Sequence, residues 1–168
     1  LDPALAGPPL LADVDGGAGL EIVAPNAVLD ASGALIAASG VSGSFVGVVD
    51  VDADGTSEIV TIASDVGQHH LHLWRVGPDG AELLRTDVDL HAGTVDPCAA
   101  GDPATEASGG PPVIADLVGA GAPEIAVATG RGVLIYDGAL LADPAATDED
   151  ALELAVALPD CRGGRRGL

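Results

Sequence analysis

The sequence predicts an all-β chain made of about three blade-like units, each of four short antiparallel strands. Three observations carry this expectation. An acidic loop occurs three times, short apolar runs flank every copy, and each copy leads into further strands separated by turn residues. Units of about 40 to 50 residues with four strands each are the sequence pattern of β-propeller blades.

The clearest loop lies in Val48-Val49-Asp50-Val51-Asp52-Ala53-Asp54-Gly55-Thr56-Ser57-Glu58-Ile59-Val60. Carboxylates at alternate positions of a turn suit a hard cation, because Ca²⁺ takes about six to eight oxygen ligands. Gly55 supplies the backbone freedom of a tight turn. An EF-hand would need its bidentate glutamate at position 12 between two helices. Position 12 from Asp50 is Thr61, and the acid comes at position 9, Glu58. The flanks, Phe45 to Val49 and Ile59 to Ala63, are rich in β-branched residues and read as buried strands. The plain alternative is a solvated acidic turn. Three aspartates in one turn repel one another, and a cation would relieve that repulsion.

The first copy is Leu10-Leu11-Ala12-Asp13-Val14-Asp15-Gly16-Gly17-Ala18-Gly19-Leu20-Glu21-Ile22-Val23, and the third runs from Val113 to Val127. Asp13, Asp50 and Asp116 align at the start, Glu21, Glu58 and Glu124 at position 9, and Ile follows each glutamate. The units span approximately 8–43, 44–95 and 111–158. A Pro-, Gly- and Ala-rich inserted loop, 96–110, separates the last two.

Within the second unit, Ile59 to Ala63 leads to the alternating run His70-Leu71-His72-Leu73-Trp74-Arg75-Val76. A Gly77-Pro78-Asp79-Gly80 turn and a fourth strand from Ala81 to Thr86 follow. The third unit repeats this in shorter form, with Ile125 to Ala128, Val133 to Tyr136 and an Asp137-Gly138 turn. The acidic tail from Asp143 to Leu158 fits either a helix or an outer strand.

The chain has 168 residues, long enough for one domain with a core, and a net charge of -20. It has no lysine, and three of its six basic residues, Arg162, Arg165 and Arg166, lie at the C-terminal end. Nucleic acid and anionic membrane surfaces call for basic clusters, so neither is an expected partner. Its three aromatic residues, Phe45, Trp74 and Tyr136, leave Val, Ile, Leu and Ala to build the core. The uncharged stretch from Ala31 to Val49 is interrupted by glycines and serines, so no membrane insertion is expected. The opening Leu1-Asp2-Pro3 suggests an excerpt of a longer chain that continues into further blades.

Cys98 and Cys161 lack zinc-site spacing and are expected to lie within bonding distance if the protein is exported. His69, His70 and His72 raise a zinc or copper reading. His70 and His72 share a strand face with Trp74, so a packing face is the more economical account. No Gly-x-Ser-x-Gly elbow is present, and no catalytic residue is assigned.

The Asp-x-Asp-x-Asp-Gly-x-x-Glu-Ile pattern after an apolar strand resembles the FG-GAP/VCBS repeat of integrin alpha-subunit propellers and of many bacterial secreted and surface proteins. The resemblance covers three units, where family propellers close with about seven. It implies Ca²⁺ held by Asp50, Asp52, Asp54, the Thr56 carbonyl and Glu58. In the first copy Gly17 replaces the third aspartate, which leaves Asp13, Asp15 and Glu21 as a weaker set. The third copy has Val118 and Ala120 where acids should be, so a plain turn is expected there. The implied function is a calcium-binding module of an exported or cell-surface protein, or a periplasmic one, that binds a protein or glycan. The alternative is the propeller scaffold of a polysaccharide-active enzyme, a lyase or hydrolase.

Overall fold

The structure is a computed structural model that describes residues 7–63, 69–90, 109–119, 121–129 and 132–157. Cys98, Cys161 and nearly all of the inserted loop lie outside the described residues.

The described residues form three four-stranded antiparallel meanders. The first sheet contains β1 (Leu10–Ala12), β2 (Glu21–Ala24), β3 (Ala27–Leu29) and β4 (Leu35–Ala38). The second contains β5 (Phe45–Val49), β6 (Glu58–Ala63), β7 (His70–Gly77) and β8 (Gly80–Asp89). The third contains β9 (Val113–Ala115), β10 (Glu124–Ala128), β11 (Gly132–Asp137) and β12 (Leu152–Ala157). In each sheet the strands follow chain order, and the acidic loop joins the first strand to the second.

The sheets stack in series. Period-2 alternation sends neighbouring residues of β6 to opposite faces. Ile59, with Trp74 opposite it on β7, packs on Val14, Val23, Val28 and Ala37 of the first sheet and its loop. Val60 and Ile62 pack with Ile125, Val127 and Leu134 of the third. With both faces covered, all of β6 is buried, which is why its sequence is a continuous apolar run rather than an alternating one. Neighbouring sheets also meet through their first strands, β1 with β5 and β5 with β9.

Two polar devices, one buried and one part-buried, tie the stack together. The Thr61 hydroxyl donates to the Pro25 carbonyl of the first sheet and accepts from Trp74 Nε1 at 3.0 Å, so neither side chain is left unsatisfied. From β8, Arg85 reaches the third sheet's insertion and donates to the carbonyls of Leu140, Leu141, Asp143 and Ala146.

The tail contains both a helical part and an outer strand. Asp137 does not turn the chain directly into a fourth strand; its side chain accepts from Leu140 N–H and caps α1 (Gly138–Ala142). Thr147 and Asp150 then form a capping box on α2 (Asp148–Ala151), and β12 follows. The fourth strand of the second sheet runs to Asp89, past the expected end at Thr86, because a bulge lets the pairing resume.

That bulge rests on a histidine. Opposite Leu71 and Leu73, β8 presents Val88 and Arg85, so Thr86 and Asp87 together face His72. Asp87 sits at φ 58 and donates its N–H to His72 Nδ1 at 3.1 Å. His72 is therefore a packed acceptor and must be neutral. Burial lowers its pKa, against the opposing pull of the Asp87 carboxylate. A histidine with a depressed folded pKa stabilises the fold above its unfolded value and loses that contribution as pH falls. Stability should accordingly drop as pH falls below about 6.5, and His72→Gln should remove that step. Urea melts across this range would show it; a wild-type step that His72→Gln leaves unchanged would contradict the assignment.

Candidate metal centre

The three loops share one left-handed position, and the second and third share another at Gly55 (φ 89) and Gly121 (φ 88). Position 4 is left-handed in each, at Gly16 (φ 70), Ala53 (φ 59) and Gly119 (φ 78). For alanine this region is costly, so Ala53 is held there by the loop around it. The Asp54 N–H donates to Asp50 Oδ1 and to Asp52 Oδ1, both at 3.1 Å, and Gly55 N–H donates to Asp50 Oδ2 at 3.0 Å. These bonds turn the aspartates toward the middle of the loop.

The position-9 glutamate closes each loop in the same way. Val14 N–H donates to Glu21 Oε2 and Val51 N–H to Glu58 Oε2, each at 3.0 Å, while Leu117 N–H donates to Glu124 Oε2. The residue after the first aspartate is thereby fixed, and Val14 and Val51 bury their side chains.

Two of the loops gather carboxylates. Asp50, Asp52 and Glu58 each offer an oxygen within 4.8 Å of the others, and so do Asp13, Asp15 and Glu21. Either triad could hold a metal ion. The sets contain no thiol or imidazole, which favours a hard cation.

Glu58 makes the second triad the more demanding. It is fully buried, and its Oε1 has no hydrogen-bond partner among the described residues. Among the described residues, the cationic group that reaches it is Arg75, with Nη1 at 4.0 Å. That guanidinium is already committed to Glu82 through Nε at 2.9 Å and to Asp54 at 3.4 Å. Burial, opposed by the Val51 N–H and reinforced by the Asp52, Asp54 and Asp50 charges, holds the Glu58 carboxyl above its ordinary pKa. A buried carboxylate oxygen with neither donor nor ion is expensive. A cation between the three carboxylates would satisfy it, so the residues fit such an ion.

Asp54 and Thr56 are placed differently. Asp54 stands outside the triad, with Oδ2 on Arg75 and Oδ1 accepting from Thr56 N–H at 2.7 Å. Sequence reading missed Arg75, because a cation 21 residues away enters the loop only through the β6–β7 pairing of Glu58 with Arg75.

In the third loop the acids serve the backbone. Asp116 accepts from Gly119 N–H at 2.6 Å and Gly121 N–H at 3.2 Å, and Glu124 accepts from Leu117 and Val118.

The loops lie along one edge of the stack. Those of the first and second sheets wall a common cleft of about 270 Å³, lined by Asp13, Asp15, Thr56 and Ser57 among others. Val51 of the second loop lies against Gly138, whose N–H donates to Pro123 of the third. His70 and His72 are 6.3 Å apart between ring centroids on the face of β7 toward the first sheet, with Trp74 in the same row. No family model, curated protein sequence or solved structure matches the chain.

Proposed function

We propose that the chain is a calcium-stabilised binding module built from propeller-type repeats resembling the FG-GAP/VCBS family, and that it acts outside the cell or at its surface. The observation that carries the reading is the buried, unpartnered Glu58 Oε1 beside Asp50 and Asp52. The serial stacking of four-stranded meanders, with first strands adjacent and loops along one edge, supports the propeller part.

Bound there, Ca²⁺ would supply positive charge and oxygen coordination to a loop whose own carboxylates repel. Asp50, Asp52 and Glu58 would hold it, and Asp13, Asp15 and Glu21 would form the second, weaker site. The resemblance adds the Thr56 carbonyl and Asp54 to the stronger one, and Asp54 would join only on leaving Arg75. Fixing the loops would set the cleft between them, whose carboxylates and hydroxyls suit the hydroxyl and amide groups of a glycan or peptide. Calcium affinities of extracellular modules lie at roughly 10⁻⁴–10⁻³ M, a range that sites of few carboxylates can reach.

The test is a thermal melt of chelator-treated protein with and without Ca²⁺. Calcium should raise the melting temperature, Asp50→Ala should remove most of that rise, and Asp116→Ala should leave it intact. An unchanged melting temperature at millimolar Ca²⁺ would overturn the reading. Calcium-dependent turnover of an acidic polysaccharide would replace binding with the enzyme alternative.

A further inference from the structure

Arg75 stands where the other two repeats carry an acid. Glu58 on β6 pairs with Arg75 on β7, and Arg75 pairs in turn with Glu82 on β8. In the third sheet the partner of Glu124 is Asp137. In the first, the register that sets Ile22 opposite Leu29 brings Asp30 opposite Glu21. Both aspartates serve the backbone that follows them: Asp137 accepts from Leu140 N–H, and Asp30 accepts from the N–H groups of Ser32 and Ala34. The cation thus accompanies the loop with the most carboxylates, Asp50, Asp52, Asp54 and Glu58.

Its placement is that of a tethered ion. Nε donates to Glu82 Oε2 at 2.9 Å and fixes one side of the guanidinium, while Nη1 lies 3.4 Å from Asp54 Oδ2 and 4.0 Å from Glu58 Oε1. The side chain is 27% exposed, so solvent screens its charge only in part. Glu58 Oε1 is also the buried atom, unpartnered among the described residues, that marks this loop as a cation site. A metal ion between that oxygen, Asp50 and Asp52 would lie beside a positive charge and would have to take Asp54 from it.

We propose that Arg75 is a built-in competitor for the metal, one that offsets carboxylate repulsion in the ion-free loop and sets how much calcium is needed to fill it. The assignment rests on the calcium reading of this loop.

Calcium moves Asp54 from the guanidinium to the ion, and Arg75 stays on Glu82. Binding therefore meets the repulsion of one fixed charge and the loss of one ion pair. A unit charge about 5 Å from a divalent ion shifts its affinity by about tenfold even in a water-like medium. The same charge steadies the empty loop, so removing it acts in opposite directions on the two states.

Calorimetric titration with Ca²⁺, and thermal melts in chelator, test this on the wild type, Arg75→Gln, Arg75→Lys, Asp54→Asn and the Arg75→Gln/Asp54→Asn double variant. Arg75→Gln should bind calcium at the stronger site about tenfold more tightly and melt below the wild type in chelator. Arg75→Lys keeps the charge and should stay closer to the wild type in both. Asp54→Asn should weaken binding more in the Arg75→Gln background than alone, because the wild-type arginine already holds that carboxylate. Three results overturn the proposal and leave the calcium reading standing: binding that Arg75→Gln leaves unchanged or weakens, an equal gain in the glutamine and lysine variants, or an Asp54→Asn loss as large alone as in the double variant. Binding absent from the wild type and from every variant overturns both.

Discussion

Glu58→Gln is expected to remove most of the calcium-induced rise in melting temperature while leaving the chelated protein at least as stable as the wild type. The two effects have one cause. In the chelated protein Glu58 is a buried charge with an unpartnered Oε1, and burial already pushes its carboxyl toward the neutral form. Glutamine keeps the shape and an acceptor for the Val51 N–H, and it removes the charge. Its loss to Arg75 is small, because the pair is 4.0 Å apart and Arg75 keeps Glu82 and Asp54. With calcium the order reverses, since the ion needs the carboxylate. A ligand at about 100 times its dissociation constant stabilises the fold by about 2.7 kcal/mol. For a domain of this size that is roughly 5–10 °C. Scanning calorimetry with calcium and with chelator measures both halves. A glutamine variant that keeps the full calcium response would contradict the assignment of Glu58.

Trp74→Ala should be the most destabilising single change in the core. Trp74 is fully buried between the first two sheets, and its removal leaves a cavity among Val14, Val23, Val28, Ala37 and Ile59. Truncating a large aromatic in such a place costs about 3–5 kcal/mol. The change also deprives Thr61 Oγ1 of the indole donor while Thr61 still bonds Pro25. Trp74→Phe keeps most of the volume and loses only that hydrogen bond, so it should cost less, about 1–3 kcal/mol. Urea unfolding of the three proteins would rank them. An alanine variant within about 0.5 kcal/mol of the wild type, the range of ordinary surface changes, would mean that the first two sheets do not stack through this residue.

Much of the architecture was legible because the period-2 signal and the loop repeat are local. Phe45 to Val49 forms β5 with those bounds, and each sheet falls inside its expected unit. The third unit's ending was less legible. Asp137-Gly138 reads equally well as a turn or as a helix cap, and Arg85, from a different sheet, takes up the carbonyls that follow. The bulge at Thr86 and Asp87 was hidden too, since it depends on the His72 ring one strand away. At the loop, the carboxylate pattern pointed to Asp50, Asp52 and Glu58, which the fold brings together. Counting acids along the chain could not show that Arg75 draws Asp54 aside. That pull narrows the difference between the second loop and the first. What still separates them is burial: Glu58 is fully buried with an unpartnered oxygen, whereas Glu21 keeps slight exposure.

The most direct measurement is a calorimetric titration of chelator-treated protein with Ca²⁺. The predicted result is one stronger binding event that Asp52→Ala abolishes and a weaker one that Asp15→Ala abolishes, with Asp116→Ala affecting neither. Absence of binding at millimolar Ca²⁺, or a strong event that survives Asp52→Ala and is lost with Asp116→Ala, would contradict it.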